Sequence, residues 1–381
     1  MKWESVELGT VARTSSGGTP SRSVKDYWNG KIPWIKSGQL RDGLITECDE
    51  FITEAGLKSS SAKLVSRGTL LLALYGATAG KLAFTGIDAA TNQAVCSINP
   101  DETLLCKRYL FYFLLSIRPK IIKDSSGGAQ PNISQGYVQK IKVPLPLLHI
   151  QQQIADTLDK ADALRQKDQQ LLQKYDELAQ SIFYDMFGDP MLNGKGWLMK
   201  PVIAFADCIV PGRDKPKTFT GSIPWVTTDD LIPLGITITS KKQMGLSPEE
   251  IKEVKAKVIP TNSVVMTCVG DLGIVSVTGK PIVINQQLHA FQCHRCMEPL
   301  FLSYVLAHQK PFMIKMASST TVPYMNKTVC NSVPVICPPL AQQQKFSKQL
   351  FDISRQRQIL AHAERKSVGL FTSLSSSYFN S

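Results

Sequence analysis

The stretch from Gln151 to Phe187, QQQIADTLDKADALRQKDQQLLQKYDELAQSIFYDMF, contains neither glycine nor proline. Within it Ile154, Leu158, Ala161, Leu164, Leu171, Tyr175, Leu178 and Ile182 recur at spacings of three, four and seven, the pattern of a helix that packs along a second helix. Pro144-Leu145-Pro146 precedes it and withholds the donors a helix needs. Gly188-Asp189-Pro190 follows it, a left-handed cap and then a residue that cannot continue the helix. At 1.5 Å per residue such a helix spans about 55 Å, longer than a small domain is wide. A rod of this length predicts separate globular parts on either side of it in sequence.

Working outward, the flanking regions repeat one another. Ile32-Pro33-Trp34-Ile35 returns 191 residues later as Ile223-Pro224-Trp225-Val226. The apolar run from Gly68 to Gly76 answers to Asn262 to Gly270, Asn92-Gln93 to Asn285-Gln286, Val143-Pro144 to Val333-Pro334, and Gln151-Gln152-Gln153 to Gln342-Gln343-Gln344. Constant order and near-constant offset indicate a tandem duplication of whole domains. Each half is expected to hold short strands (Thr69 to Leu74 and Val95 to Ile98; Ser263 to Val269 and Ile282 to Ile284), one short helix (Lys107 to Leu115; Pro299 to Leu306) and a long closing helix. The second long helix is predicted over Ala341 to Tyr378, with Phe346, Leu350, Ile353, Leu360, Phe371, Leu374 and Tyr378 on its seam. Polar breaks at Arg165, Asp168, Arg357 and Glu364 can fix the register of the pair.

Composition bounds the rest. The 381 residues suffice for two or more domains, and 43 basic against 31 acidic side chains give a formal charge of +12, which points to a polyanionic partner. No stretch of 18 uninterrupted apolar residues occurs and the opening residues lack a secretory apolar region, so a cytoplasmic protein without a membrane partner is expected. Nine scattered cysteines read as reduced core thiols.

Several further stretches sharpen this. Ser16-Gly17-Gly18-Thr19-Pro20-Ser21, the run Tyr27 to Trp34, Tyr75 to Lys81 with its two glycines, Asn92-Gln93, Pro131-Asn132-Ile133-Ser134, Pro144 leading into Gln151-Gln152-Gln153, and Phe183 to Pro190 occur in an order that resembles the specificity subunits of type I restriction-modification systems. The similarity covers essentially the whole chain and is weaker in the second half, where Gly212 to Pro216 stands in place of Gly17 to Pro20 and Gly270 to Gly273 lacks a lysine like Lys81. The resemblance implies two target recognition domains that each read half of a bipartite, asymmetric DNA sequence, held apart by paired helices that also bind two methyltransferase subunits. It implies that this chain binds no cofactor and makes no bond. S-adenosylmethionine for adenine N6 methylation, and ATP and Mg for translocation and cleavage, then belong to the methyltransferase and restriction subunits.

Loops with donors and cations are the expected DNA-reading positions. In the first half these are Ser16, Gly17, Gly18, Thr19, Arg22, Lys36, Ser37, Tyr75, Thr78, Lys81, Gln130, Asn132 and Ser134. In the second half they are Arg213, Lys215, Thr227, Thr228, Asp271, Thr320, Tyr324, Asn326 and Lys327. The amides of Asn92-Gln93 and Asn285-Gln286-Gln287 are read as ties between loops.

Other chemistries fit poorly. Gly76 to Lys81 has three residues between its glycines and Leu82 after the lysine, where a P-loop requires four and a hydroxyl. Cys293-His294-Arg295-Cys296 is half a zinc site without a second pair. Glu250-Ile251-Lys252 and Glu253-Val254-Lys255 sit in a short charged helix begun by Ser247-Pro248, and no Asx-Pro-Pro-aromatic motif is present for amino methylation. The sequence therefore predicts a mixed α/β tandem duplication with pseudo-twofold character and no catalytic or metal site. Its expected parts are a first recognition domain over 1–149, a spacer helix over 150–187, a second recognition domain over 188–339 and a pairing helix over 340–381. A self-contained DNA-modifying enzyme and a purely protein-binding scaffold are the alternatives.

Overall fold

The computed structural model describes residues 3–125, 132–212, 214–318 and 322–379. The chain divides into two compact units whose boundaries fall inside the long helices. The first runs to Gln169 and adds His362 onward; the second is Gln170–Ala361.

In the first unit a five-stranded sheet takes the order Ala12–Ser16, Val95–Pro100, Leu70–Ala73, Leu82–Thr85, Gly43–Ile45, antiparallel except for the last pair. A four-stranded sheet has the order Phe51–Ile52, Trp28–Ile35, Ala89–Thr91, Leu64–Val65. Leu70 to Ala73 is buried on both faces, so it reads as a continuous apolar run without alternation. Leu70 and Leu72 face a core shared with the helix Lys107–Ser116, and Leu71 and Ala73 face a second core with Ile35 and Val95.

The second unit repeats both sheets strand for strand. Its five-stranded sheet is Ala206–Ile209, Leu288–Cys293, Ser263–Thr267, Val275–Thr278, Ile236–Thr237, and its four-stranded sheet is Gly245–Leu246, Ile223–Val226, Ile282–Ile284, Val258–Ile259. Trp34 pairs with Ala90 in one and Trp225 with Val283 in the other, both in parallel register. The duplication inferred from a few dipeptides is thus a duplication of topology.

The long helices are Leu148–Phe187 and Leu340–Phe379, each beginning slightly earlier than the periodicity predicts because the last preceding prolines are Pro146 and Pro339. In the first unit Ile154, Ala155 and Leu158 share a core with Phe371, Leu374, Tyr378 and Phe379. In the second, Phe183 and Phe187 each lie 5.5 Å from Phe346, ring centre to ring centre. Within each unit the start of one long helix thus meets the end of the other.

Three seam residues, Leu164, Leu171 and Leu178, are corrected. Leu171 and Leu178 are 36% and 45% exposed, while Asp168, Tyr175 and Ala179 turn inward. At 100° per residue, positions 171 and 178 lie about 60° around from 168 and 175, and small or polar side chains hold the closely packed line instead. Leu164 is likewise exposed. Arg165 is half-buried between Asp162, at 2.6 Å, and the Phe371 ring, at 5.9 Å. Arg357 pairs with Asp176 at 3.0 Å.

The glutamine register also shifts by one. Buried Gln151 accepts a hydrogen bond from the Cys106 amide and donates to the carbonyls of Leu104 and Pro146, all at 2.8 Å. The residue doing this in the second unit is Gln343, which accepts from Glu298 N and donates to the carbonyls of Cys296 and Pro338. Each amide ties the first turn of a long helix to the loop that opens a core helix. Its burial satisfies three backbone groups that would otherwise be stranded.

Candidate nucleic-acid interface

In the first unit, backbone hydrogen bonds knit five sequence-distant loops into one cluster. Gly18 N donates to Thr91 O at 2.9 Å, Asn92 N to Ile35 O at 3.0 Å, Leu74 N to Ala94 O at 2.8 Å, and Ile133 N to Leu74 O at 2.7 Å. Ser16 Oγ reaches Gln135 Oε1 at 3.1 Å. Ser16 to Arg22, Lys36-Ser37, Tyr75 to Lys81, Asn92-Gln93 and Asn132 to Ser134 are therefore neighbours in space.

The glycines serve the cluster's interior. A Cβ at Gly17 would stand 2.0 Å from Thr91 O, and one at Gly18 2.2 Å from Ser61 Oγ, so the close approach they allow is to the protein's own strand and loop. Trp34 Nε1 holds Gly18 O and Trp28 Nε1 holds Ser21 O, each at 3.0 Å. Thr19 Oγ1 donates to Gln93 Oε1, the loop tie expected of that amide. Of Ser16 to Arg22, Thr19, Ser21 and Arg22 are exposed to solvent.

Arg22 stacks on Trp28, with the guanidinium carbon 3.8 Å from the ring centre, and ion-pairs with Glu50 at 2.7 Å; Lys36 bonds the other oxygen of Glu50. Burial alone raises the Glu50 carboxyl pKa, but hydrogen bonds from Lys36 and Arg22, and the charges of both, outweigh it and hold the group below its ordinary range. Lys81 is drawn inward to Asp42 at 3.0 Å, and Arg118 clamps the same carboxylate while its Nε holds Gly80 O at 2.7 Å. Desolvation raises Asp42, and the Leu82 amide with Arg118 and Lys81 more than reverses it. Ser134 is exposed, and its hydroxyl caps the helix Gln135–Lys140 by accepting from Tyr137 N. Tyr75 bridges to Asn132.

The second unit builds the same cluster from different side chains. Asn285 N donates to Val226 O, Cys268 N to Gln287 O, Met325 N to Cys268 O and Gly270 N to Pro323 O, at 2.9 to 3.0 Å. This brings Thr227-Thr228, Asp271 and Tyr324 to Lys327 together. Thr227 is tied to buried Asp230, Asp271 pairs with Lys310 at 2.6 Å, and Asn326 caps Lys327–Asn331. Tyr324 and Lys327 are exposed. Lys215 is exposed as well, on a segment that packs toward residues 246–256 through Gly212, Gly221 and the Thr220 amide, which donates to Glu250. Gln130, Arg213 and Thr320 lie outside the described residues.

Sequence reading missed Glu50, Trp28, Asp42 and Arg118, which position the loops. Only Asp42-Gly43 carried a local signal, a turn dipeptide, and Asp42 has φ +61. The others act across 14 residues or more of chain or inside a strand, where linear spacing shows nothing.

A duplicated sheet-and-helix head with a donor-rich loop cluster in each copy, joined by forty-residue helices, defines the class of a two-headed recognition protein. The type I restriction modification DNA specificity domain matches residues 1–174 and 211–368, and the chain belongs to that family. It is 24% identical to the MjaIX specificity subunit of Methanocaldococcus jannaschii, across 94% of this chain and 89% of that one. It is 28% identical to the EcoR124I/EcoR124II specificity subunit of Escherichia coli across 51% and 48% of the two chains. Its fold is similar to the crystal structure of the S subunit from M. genitalium, with TM-score 0.62 at 14% identity over 98% and 95% of the chains. A second solved structure, from work on assembly and conformational transition of the type I restriction-modification system, aligns with TM-score 0.52 at 16% identity, over 99% and 97% of the chains. No described helix is long and apolar enough to cross a membrane.

Proposed function

We propose that the chain selects a bipartite, asymmetric double-stranded DNA target and assembles catalytic partners on it without performing the chemistry itself. The observation that carries this reading is one loop cluster built twice on one topology with different exposed side chains, such as Asn132 in one copy and Tyr324 at the same bridge in the other. Two such readers see different base edges, so the target is split into unlike halves. The spacer between the halves is a property of the helix pair, since one turn of B-DNA is about 34–36 Å.

The same helices support the partner assignment. Leu164, Leu171 and Leu178 recur every seven residues on one helix and are exposed, and Phe351 and Ile359 are 64% and 60% exposed on the other. Apolar side chains in heptad register on a helix surface suit a partner helix. On this reading they receive two methyltransferase subunits, which use S-adenosylmethionine to methylate adenine N6, and restriction subunits, which use ATP and Mg, join that assembly. A cytoplasmic location accords with its cysteines, which are free thiols.

The test is co-expression with the adjacent methyltransferase gene, followed by mapping of methylated adenines across the host genome. A split motif with two unlike halves is expected. Methylation without the chain, or turnover by the purified chain alone, refutes it. Binding that does not weaken as salt rises points to a protein scaffold instead.

A further inference from the structure

We propose that Arg22 reads a guanine in the half-site taken by the first head, with Trp28 and Glu50 as its positioning residues; this rests on the DNA-reading function proposed above. A guanidinium recognises guanine by presenting two parallel N–H groups to O6 and N7, which requires that its plane and direction be set before contact. Both are set here. Trp28 lies against the face of the group at 3.8 Å, and Trp28 itself is fixed edge-on to buried Trp34, centroids 5.1 Å apart, with its N–H on Ser21 O.

Glu50 fixes the direction. Its Oε2 lies 2.7 Å from Arg22 Nη2, so the carboxylate anchors one corner of the guanidinium. The Glu50 side chain is 26% exposed and that of Arg22 57%, an anchored base beneath an open tip. Because Lys36 shares the same carboxylate, two cations face one anion and the local charge stays positive toward a polyanion. Thr19, on the same loop as Arg22, donates to Gln93.

The second head lacks the device. Trp34 N donates to Glu50 O, and the equivalent Trp225 N donates to Met244 O, so Met244 occupies the place of Glu50. Phe219 stands by Trp225 as Trp28 does by Trp34, and Thr227 follows the strand where Lys36 does.

The experiment uses the chain assembled with its methyltransferase partners. Methylome motifs are compared for wild type, Arg22→Ala, Arg22→Lys and Glu50→Gln, and affinities are measured on duplexes carrying the wild-type motif and on scrambled duplexes. Expected are a guanine at one position of one half-site that becomes degenerate in Arg22→Ala and Arg22→Lys, a loss of about 10- to 100-fold on the motif duplex, and unchanged affinity and salt slope on scrambled DNA. Glu50→Gln should relax the same position, and the other half-site should hold in every variant. An unchanged motif, or an equal loss on both duplexes with a salt slope lower by about one, overturns the assignment and makes Arg22 a phosphate contact at most. Arg22→Lys keeps the charge on the surface, so it reports even if the alanine variant folds poorly. If the wild-type complex itself shows no sequence preference, the DNA-reading function has failed; if it does and Arg22 changes nothing, only this inference has.

Discussion

The two heads share topology and backbone ties while differing at the groups that finish each loop. In the first, Asp42 at φ +61 gathers Arg118 and Lys81; in the second, Leu234 at φ +54 takes the same turn with no charge to offer, and Lys310, in the place of Arg118, turns to Asp271. Gly76 and Gly80 hold positive φ across a loop one residue longer than that between Gly270 and Gly273, which do the same. Buried Phe183 in one helix seam corresponds to Ser375 in the other. The difference teaches that the scaffold needs only the strand order, the glycine turns and the glutamine tie. The charged groups on the loops differ between the two heads, as the proposed reading of two unlike half-sites requires.

The strongest way to break this comparison is at the aromatic seam. Phe183 is fully buried among Phe187, Phe301, Tyr304 and Phe346, so Phe183→Ala should cost the second unit about 3–5 kcal/mol. Phe379→Ala, at a half-buried end of the first unit's seam, should cost about 1–2 kcal/mol. Urea unfolding followed by unit-specific probes reads both, and equal losses would deny the asymmetry.

Next come the ties the heads share. Gln151→Ala and Gln343→Ala should each destabilise by about 2–3 kcal/mol, nearly alike, because each strands three buried backbone groups. A tie that mattered in only one head would show as a single shifted transition.

Asp42→Asn is a smaller, pH-dependent change of about 1–2 kcal/mol at neutral pH, confined to the first unit. The folded pKa of Asp42 lies below its unfolded value, so its contribution is complete above the unfolded value and fades as pH falls through the folded one. Wild type and variant should therefore converge in acid, and a gap that persists there would place the effect in packing.

The smallest stability effect, under about 0.5 kcal/mol, is expected for Leu171→Glu and Leu178→Glu, whose side chains are exposed in the isolated chain. Pull-down of the methyltransferase partner should fall sharply, and undiminished capture would move the docking face elsewhere.

Sequence by itself determined the duplication, the two long helices and the strands beneath Leu70 to Ala73 and Ser263 to Thr267, because periodicity, proline breaks and repeated order are properties of the chain as written. It also picked most of the loops, since glycine, hydroxyl and amide clusters betray turns locally. Tertiary structure alone decided that those loops converge, that Gly17 and Gly18 face inward, that Leu171 and Leu178 face out, and that Arg22 rests on Trp28 and Glu50. Contacts between residues tens of positions apart leave no trace in spacing, and a helix stripe only 60° wide of its neighbour cannot be told apart until something packs against it.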